Sequence, residues 1–178
     1  EAAERLEFIE GDIRQPEICA AACAGMDQVI HLAALGSVPL SMEKPAECNA
    51  INVTGTLNMM IAAHDAGIRR LVYASSSAVY GDDTLPTKRE NSIGRPLSPY
   101  AASKTAADLL ARAYFKTYGL PTLVTRCSNN YGPFQFPEKL IPTVVLRAME
   151  GKSIPVYGDG RQVRDWLHVD DHADALLT

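Results

Sequence analysis

Leu71-Val72-Tyr73-Ala74-Ser75-Ser76-Ser77 and, further on, Tyr100-Ala101-Ala102-Ser103-Lys104 decide how this chain reads. Residues 71–74 have the apolar, aromatic character of a buried strand, and they deliver three hydroxyls onto the adjoining loop. If residues 100–104 are helical, Tyr100 and Lys104 project from one face about a turn apart. An ammonium then lies close to a phenol, and a nearby cation favours the phenolate. A phenolate at neutral pH is a general base able to take a proton from an alcohol. Tyr-x-x-x-Lys alone is common, and an ordinary exposed helix is its plain alternative. The strand and hydroxyl loop upstream argue against that alternative.

On either side of these stretches, short apolar strands alternate with helical patterns. Residues 6–9, 29–32, 70–75 and 123–126 read as strands. Residues 16–24 read as a helix closed by Gly25. A long helix begins near Pro45 and ends before Gly67, with Asn52, Leu57, Met60, Ile61 and His64 at helical spacing. Residues 82–96 are polar, carry two prolines, and read as a surface loop. Residues 99–118 form a helix ended before Gly119 and Pro121, and residues 139–150 one ended by Gly151. The tail holds short strands at 154–157 and 165–168 and a helix from Asp170. This alternation predicts an α/β fold with a doubly wound parallel sheet. Ligands of such sheets bind at the carboxyl ends of the strands. Gly11-Asp12-Ile13 and the loops 33–37, 75–77 and 127–130 fall there.

The chain has 178 residues, 47% hydrophobic and 21% charged, with a net charge of −4. Core material is ample for one globular domain. The mild acidity gives no reason to expect nucleic acid or a membrane surface as partner. No apolar run approaches a membrane span, and the N-terminus lacks a signal-peptide pattern. Cys19, Cys23, Cys48 and Cys127 show no metal-like spacing, so no metal is expected. Reduced thiols and a cytoplasmic location are the default.

Strand, hydroxyl loop, then Tyr-x-x-x-Lys resembles the extended short-chain dehydrogenase/reductase family, in the branch that acts on nucleotide sugars. The resemblance covers essentially the whole chain and begins at about the third strand of that fold. The Gly-rich turn that should cradle a pyrophosphate is not among these residues. The resemblance implies two strands and two helices before Glu1, and a sugar-binding region continuing past Thr178. The chain therefore reads as an internal piece of a longer enzyme, and catalysis by the piece alone is not expected. Residues 1–128 would belong to the dinucleotide-binding domain. Residues 129–178 would begin the nucleotide-sugar-binding region, with some return to the sheet.

The resemblance implies NAD as cofactor, a nucleotide sugar as substrate, and a homodimer built on the long helix and the Tyr-x-x-x-Lys helix. Leu109, Leu110, Ala113 and Tyr114 permit such a dimer but would serve a core equally well. Ser76, aligned on Val79-Tyr80-Gly81, matches the catalytic hydroxyl, with Tyr100 as base and Lys104 holding the cofactor ribose. Asp12 and Ile13 fall where the family holds adenine; a turn Asp capping the next helix is the alternative. Leu32, Ala33 and Ala34 would pass the cofactor. His31 beside them is better read as a satisfied buried histidine. Asn52 lies near the cofactor in the family, and a structural role is equally open, since a polar residue on an apolar helix face needs a partner. Cys127 and Ser128 would lie by the nicotinamide. Ser37 and Ser77 would reach the sugar. Asn129, Lys139, Leu140 and Arg164 would hold the diphosphate region, with Tyr157 near the base. A guanidinium suits phosphates through its bidentate geometry.

The two halves point to different reactions. Gly36-Ser37-Val38 resembles certain 4-epimerases, whereas residues 126–142 resemble nucleotide-sugar dehydratases. Both reactions start with oxidation at C4. A 4,6-dehydratase must then expel the C6 hydroxyl, and the family's dehydratases carry an Asp-Glu pair for this after the catalytic residue. Those positions here are Ser77 and Ala78. The residues thus favour an NAD-dependent nucleotide-sugar 4-epimerase, with a 4,6-dehydratase as the alternative. A non-catalytic NAD-binding sensor on the same fold is a third possibility, opposed by the joint presence of Ser76, Tyr100 and Lys104.

Overall fold

The computed structural model describes residues 6–82, 88–156 and 158–178. The chain divides into two compact units, Glu1–Arg126 and Cys127–Thr178, which puts Cys127 and Ser128 with the second.

The first unit is built on three parallel strands in the order β1 (Gln28–His31), β2 (Arg70–Ala74) and β3 (Thr122–Thr125). Val72 in the middle strand lies level with Ile30 on one side and Leu123 on the other. Parallel neighbours need long crossovers, and helices supply them. Helix α1 (Pro16–Cys23) precedes β1. Helices α2 (Val38–Glu43) and α3 (Pro45–Asn49), a π-helical stretch Ala50–Gly55 and helix α4 (Thr56–Asp65) join β1 to β2. Helix α5 (Pro99–Tyr118) joins β2 to β3. The core lies on one face of the sheet, where Leu71 and Tyr73 of β2 meet Cys19 and Cys23 of α1, Met60 and Ala63 of α4, and Ala107 and Ala111 of α5. On the opposite face Val72 is buried, while Ile30 and Leu123 remain partly open to solvent.

Helix α5 has the bounds expected from its punctuation. The Ser98 hydroxyl accepts from the Ala101 backbone N–H at 3.1 Å, and Pro99 opens the first turn. Gly119 ends the helix with φ +71°, a conformation that favours glycine. Leu110 and Tyr114 pack on the core, whereas Leu109 and Ala113 face outward.

Three expectations are corrected. Residues 6–10 form no strand, and Phe8 is 84% exposed. A strand is stabilised by its ladder, and none of the described strands pairs with this segment. The single helix from Pro45 is instead α3, a π-helical stretch and α4, with α2 before it. Residues 152–156 form no strand, and Tyr157 lies outside the described residues.

In the second unit β4 (Asn129–Tyr131) pairs in parallel with β5 (Trp166–His168), which leads directly into α7 (Val169–Leu177). Helix α6 (Leu140–Met149) lies between the strands in sequence. A three-residue polar strand such as Asn129-Asn130-Tyr131 carries no apolar alternation, which is why its sequence does not announce it.

After β2 the chain turns through a 3₁₀ stretch, Ser77–Tyr80, onto which the returning loop is pinned. The Gly94 N–H donates to the Val79 carbonyl at 3.0 Å. A Cβ on Gly94 would lie 1.8 Å from the Tyr80 oxygen, and one on Gly81 would lie 1.7 Å from the Arg95 oxygen. Both are backbone clashes that no rotamer relieves. Gly94→Ala is therefore expected to destabilise the protein by about 2 kcal/mol or more, read as a fall in thermal midpoint. An unchanged midpoint would show that the loop yields freely.

Candidate active site

The site forms where β2 ends. The 3₁₀ stretch begins because Ser76, in extended conformation, accepts the Ala78 N–H on its hydroxyl oxygen at 3.1 Å. That bond uses only the oxygen, so the hydroxyl can still donate. Ser76 is half-buried and Ser77 exposed, while Val79 and Tyr80 anchor the turn below.

Lys104 approaches the same strand end from α5. It is 4% exposed, and its Nζ donates to the Ala74 carbonyl at 2.6 Å. The same nitrogen lies 4.7 Å from the centroid of the Tyr73 ring. A carbonyl dipole and an aromatic face thus replace part of the water lost by a buried ammonium. Tyr100, in the first turn of α5, is held through its backbone: its N–H donates to Ser41 Oγ at 3.1 Å, and its carbonyl accepts from Ser103 Oγ at 2.8 Å. Its phenol is close enough to act electrostatically on Tyr73. Tyr100 and Lys104 therefore converge on one buried ring. Burial, with Asp108 and Tyr100 nearby, pushes the Tyr73 phenol far above its ordinary value, so Tyr73 stays neutral.

A second network ties the loop after β1 to α5. Asn52 is buried in the π-helical stretch, and π turns often mark functional sites. Its Oδ1 accepts from the Leu35 N–H at 2.8 Å, and its Nδ2 donates to the Leu35 carbonyl at 3.2 Å and to Ser103 Oγ at 3.0 Å. Every polar atom of the amide is used. Asn52 thereby clamps the β1 loop to the helix that carries Tyr100 and Lys104. Leu32, Ala33 and Ala34 stay exposed beside the clamp, and Ser37 caps α2 by accepting the Leu40 N–H at 3.3 Å.

Asp12 forms a turn of its own, accepting the Arg14 N–H at 2.8 Å and pairing with the Arg14 guanidinium. The side-chain bond from Arg14 is the chief reason its carboxyl lies below the ordinary value. It does not cap α1, whose N-cap is Gln15. Ile13 is positioned by residues that sequence reasoning missed. Its carbonyl accepts from Asn58 Nδ2 at 3.0 Å, and a Cβ on Gly55 would lie 2.6 Å from Ile13 Cγ1. Asn58 carried the same signal as Asn52, an amide on an apolar helix face. Gly11, Ile13, His31, Leu32 and Ala33 line a cleft of about 320 Å³. Its apolar walls and its position at the end of β1 fit a nucleotide cofactor.

In the second unit the strand pairing sets Asn129 level with Trp166, and the Asn129 N–H donates to the Asp165 carbonyl at 3.2 Å. Arg164, just before it, donates to the Val163 carbonyl at 2.8 Å and is exposed. Lys139 pairs with Glu138 at 2.9 Å at the start of α6, beside the exposed Leu140. Cys127 accepts from Asn130 Nδ2 at 3.4 Å, and Ser128 is half-buried. Among the described residues no group of three His, Cys, Asp or Glu could hold a metal, and no helix is long and apolar enough to cross a membrane.

A parallel sheet with a hydroxyl loop and a Tyr–Lys pair at its carboxyl edge defines the short-chain class of nicotinamide-dependent oxidoreductase folds. The chain belongs to the NAD dependent epimerase/dehydratase family, whose model matches residues 1–178. It is 49% identical over 165 residues to the dTDP-glucose 4,6-dehydratase of Neisseria meningitidis serogroup B, covering 84% of this chain and 45% of that protein. The crystal structure of DesIV, a dTDP-glucose 4,6-dehydratase from Streptomyces venezuelae with NAD bound, superposes with a TM-score of 0.94 at 45% identity, over 99% of this chain and 55% of that one. A UDP-N-acetylglucosamine 4-epimerase from Methanobrevibacter ruminantium superposes with a TM-score of 0.92 at 34% identity, over 98% of this chain and 57% of that one. The chain thus spans about half the length of the curated relatives it matches.

His31 is a satisfied buried histidine. Its Nε2 lies 2.9 Å from Thr56 Oγ1, and its ring stacks on Tyr73. Burial first, and the Lys104 charge second, lower its pKa to about 4. The unfolded chain takes up this proton near pH 6.5 and the folded chain does not. Stability from this group is full above pH 6.5 and is lost as pH falls towards 4, by on the order of 3 kcal/mol. In His31→Asn that part of the acid loss should disappear when urea unfolding is compared across this window. An unchanged pH dependence would refute the assignment.

Proposed function

We propose that the full-length protein is an NAD-dependent enzyme that oxidises a nucleotide sugar at C4. The observation that carries this reading is the buried Lys104 ammonium held on the Ala74 carbonyl at the end of β2, with Ser76 on the loop that follows that strand and Tyr100 one turn earlier on α5. Tyr100, as phenolate, takes the proton of the sugar 4-hydroxyl, and Ser76 donates to the same oxygen. Lys104 keeps a positive charge beside the phenol and reaches the cofactor ribose. NAD, when bound, supplies the acceptor for the C4 hydride. Asp12, Ile13 and residues 32–34 hold the adenosine side, with Asn52 fixing their loop and Cys127 and Ser128 serving the nicotinamide. Ser37, Ser77, Asn129, Lys139, Leu140, Tyr157 and Arg164 hold the nucleotide sugar.

For the step after oxidation, the comparisons support a 4,6-dehydratase better than the epimerase that the residues alone suggested. Relatives at 45–49% identity carry the dehydratase name, and the Methanobrevibacter ruminantium epimerase stands at 34%. One observation favours the 4-epimerase as a second reading: positions 77 and 78 are Ser and Ala, with no carboxyl for the C6 leaving group or the C5 proton. A dehydratase would have to draw both groups from other positions. We further propose a cytoplasmic homodimer, joined through the outward face of α5 at Leu109 and Ala113.

Tyr100→Phe in the full-length protein should lower turnover at least about 100-fold and leave NAD affinity unchanged. Normal turnover in that variant would end the proposal. Incubation of the full-length protein with NAD and a panel of dTDP-, UDP- and GDP-sugars separates the two outcomes. Loss of one water with a 4-keto-6-deoxy spectrum is the expected dehydratase result. Unchanged mass with inverted C4 would establish the epimerase.

A further inference from the structure

Beneath the Tyr100–Lys104 pair lies an ion pair that the mechanism does not use. Asp108 stands four residues after Lys104, on the same side of α5, and its side chain is 3% exposed. Arg126, the residue after β3, binds it twice: Nε and Nη2 each lie 2.9 Å from Asp108 Oδ2. Arg126 Nη1 also donates to the carbonyls of Glu90 at 2.9 Å and Ser92 at 3.1 Å, and the guanidinium lies 5.4 Å from the centroid of the Tyr80 ring. One side chain therefore fixes α5, the returning loop and the turn below Ser76. Asp108 is close enough to Lys104 and Tyr73 for its charge to act on both.

We propose that Asp108 and Arg126 are positioning residues that set the charge around Tyr100: Arg126 neutralises Asp108, so that the Lys104 charge remains available to the phenol. This inference rests on Tyr100 being the base. The buried Lys104 and the partly buried Arg126 are two cations and Asp108 is one anion, which leaves one positive charge for a phenolate at Tyr100 to balance. Without Arg126, the Asp108 carboxylate would balance Lys104 by itself. A paired charge is tolerated in such a place, whereas one partner left alone is a strong perturbation.

The other groups around the pair do not supply this balance. From the strands, Tyr73 is neutral, and His31 is neutral above pH 5 because its pKa is about 4. From the turn, Tyr80 helps hold the Arg126 charge in place. Ser75, just after β2, is uncharged and buried, and Cys48 of α3 lies against Ser103. Burial holds the Asp108 carboxyl above its ordinary value, and the charges of Arg126 and Lys104 oppose that rise in part, so the anion depends on both cations.

The test titrates the full-length protein by the ultraviolet absorbance of phenolate, with Tyr100→Phe as the blank that isolates Tyr100. Phenolate absorbance follows only the Tyr100 proton, so the midpoint read is the apparent one of this phenol beside Lys104. Arg126→Met should raise this midpoint by about 0.5 to 1 pH unit, and Asp108→Asn should lower it by a similar amount. The double variant Asp108→Asn/Arg126→Met should return to the starting value, and Arg126→Lys should stay there because it keeps the charge. A merely structural pair would leave the midpoint in place, shift both single variants the same way, or make the double variant worse than either; each result overturns the proposal. If Arg126→Met does not fold, Asp108→Asn and the double variant carry the same test. Normal turnover in Tyr100→Phe would sink the base assignment itself, and the titrations would still report whether the couple sets the charge on this phenol.

Discussion

Lys104 carries a full charge into a place that water barely reaches. Removing an ammonium from water is costly, and a fold tolerates it only where fixed dipoles stand ready. Here the Ala74 carbonyl takes one of its protons at 2.6 Å and the Tyr73 ring lies beneath the nitrogen. Both belong to the middle strand of the sheet, the one held by a neighbour on each side. The position of the ammonium is therefore as rigid as the sheet. Tyr100, Ser103 and Asp108 take their places from the same helix, and the Asn52 clamp fastens the β1 loop to that helix. Moving Lys104 would disturb the sheet, the helix and the ligand loops together.

The parts of the fold that were legible in sequence are those in which local chemistry and packing agree. Helix α5 begins at Ser98-Pro99 and ends at Gly119 because each residue suits only that end of a helix. The strands of the parallel sheet are short apolar runs bounded by breakers. Residues 6–9 and 154–156 have the composition of strands, but a ladder depends on a partner, which composition cannot supply. The connection from β1 to β2 looked like one helix because its apolar spacing continues across the π turn. Nothing in the residue types Ala50 to Gly55 announces a widened turn; the long-range bonds of Asn52 accompany it.

For the site, the candidate catalytic residues are easier to find in sequence than their supports. Ser76, Tyr100 and Lys104 form a pattern in sequence because Tyr-x-x-x-Lys repeats at one helical turn and Ser76 directly follows an apolar strand. Asn58, Gly55, Asp108 and Arg126 act through partners 18 to 45 residues away, or through the room left by a missing side chain. Such roles become visible only when the elements are packed. The second unit illustrates the same limit. The strand at β5 is legible in sequence, whereas its partner β4, Asn129-Asn130-Tyr131, has no apolar signature and shows itself only through the pairing.

The glycine pair at 81 and 94 has a bearing on how such a fold can diversify. Two stretches of backbone touch where neither tolerates a β-carbon, so the ends of the intervening loop are brought together before any residue between them is specified. The entropy of closing a loop rises only by about 0.6 kcal/mol for each doubling of its length. With its closure fixed by the pins, the span between them can change in length and composition at little expense to the sheet. The span opens beside Ser76 and rejoins the chain ahead of Tyr100. The two glycine contacts thus act as a constant frame for whatever insert joins them, a division of labour between a fixed closure and an exchangeable span.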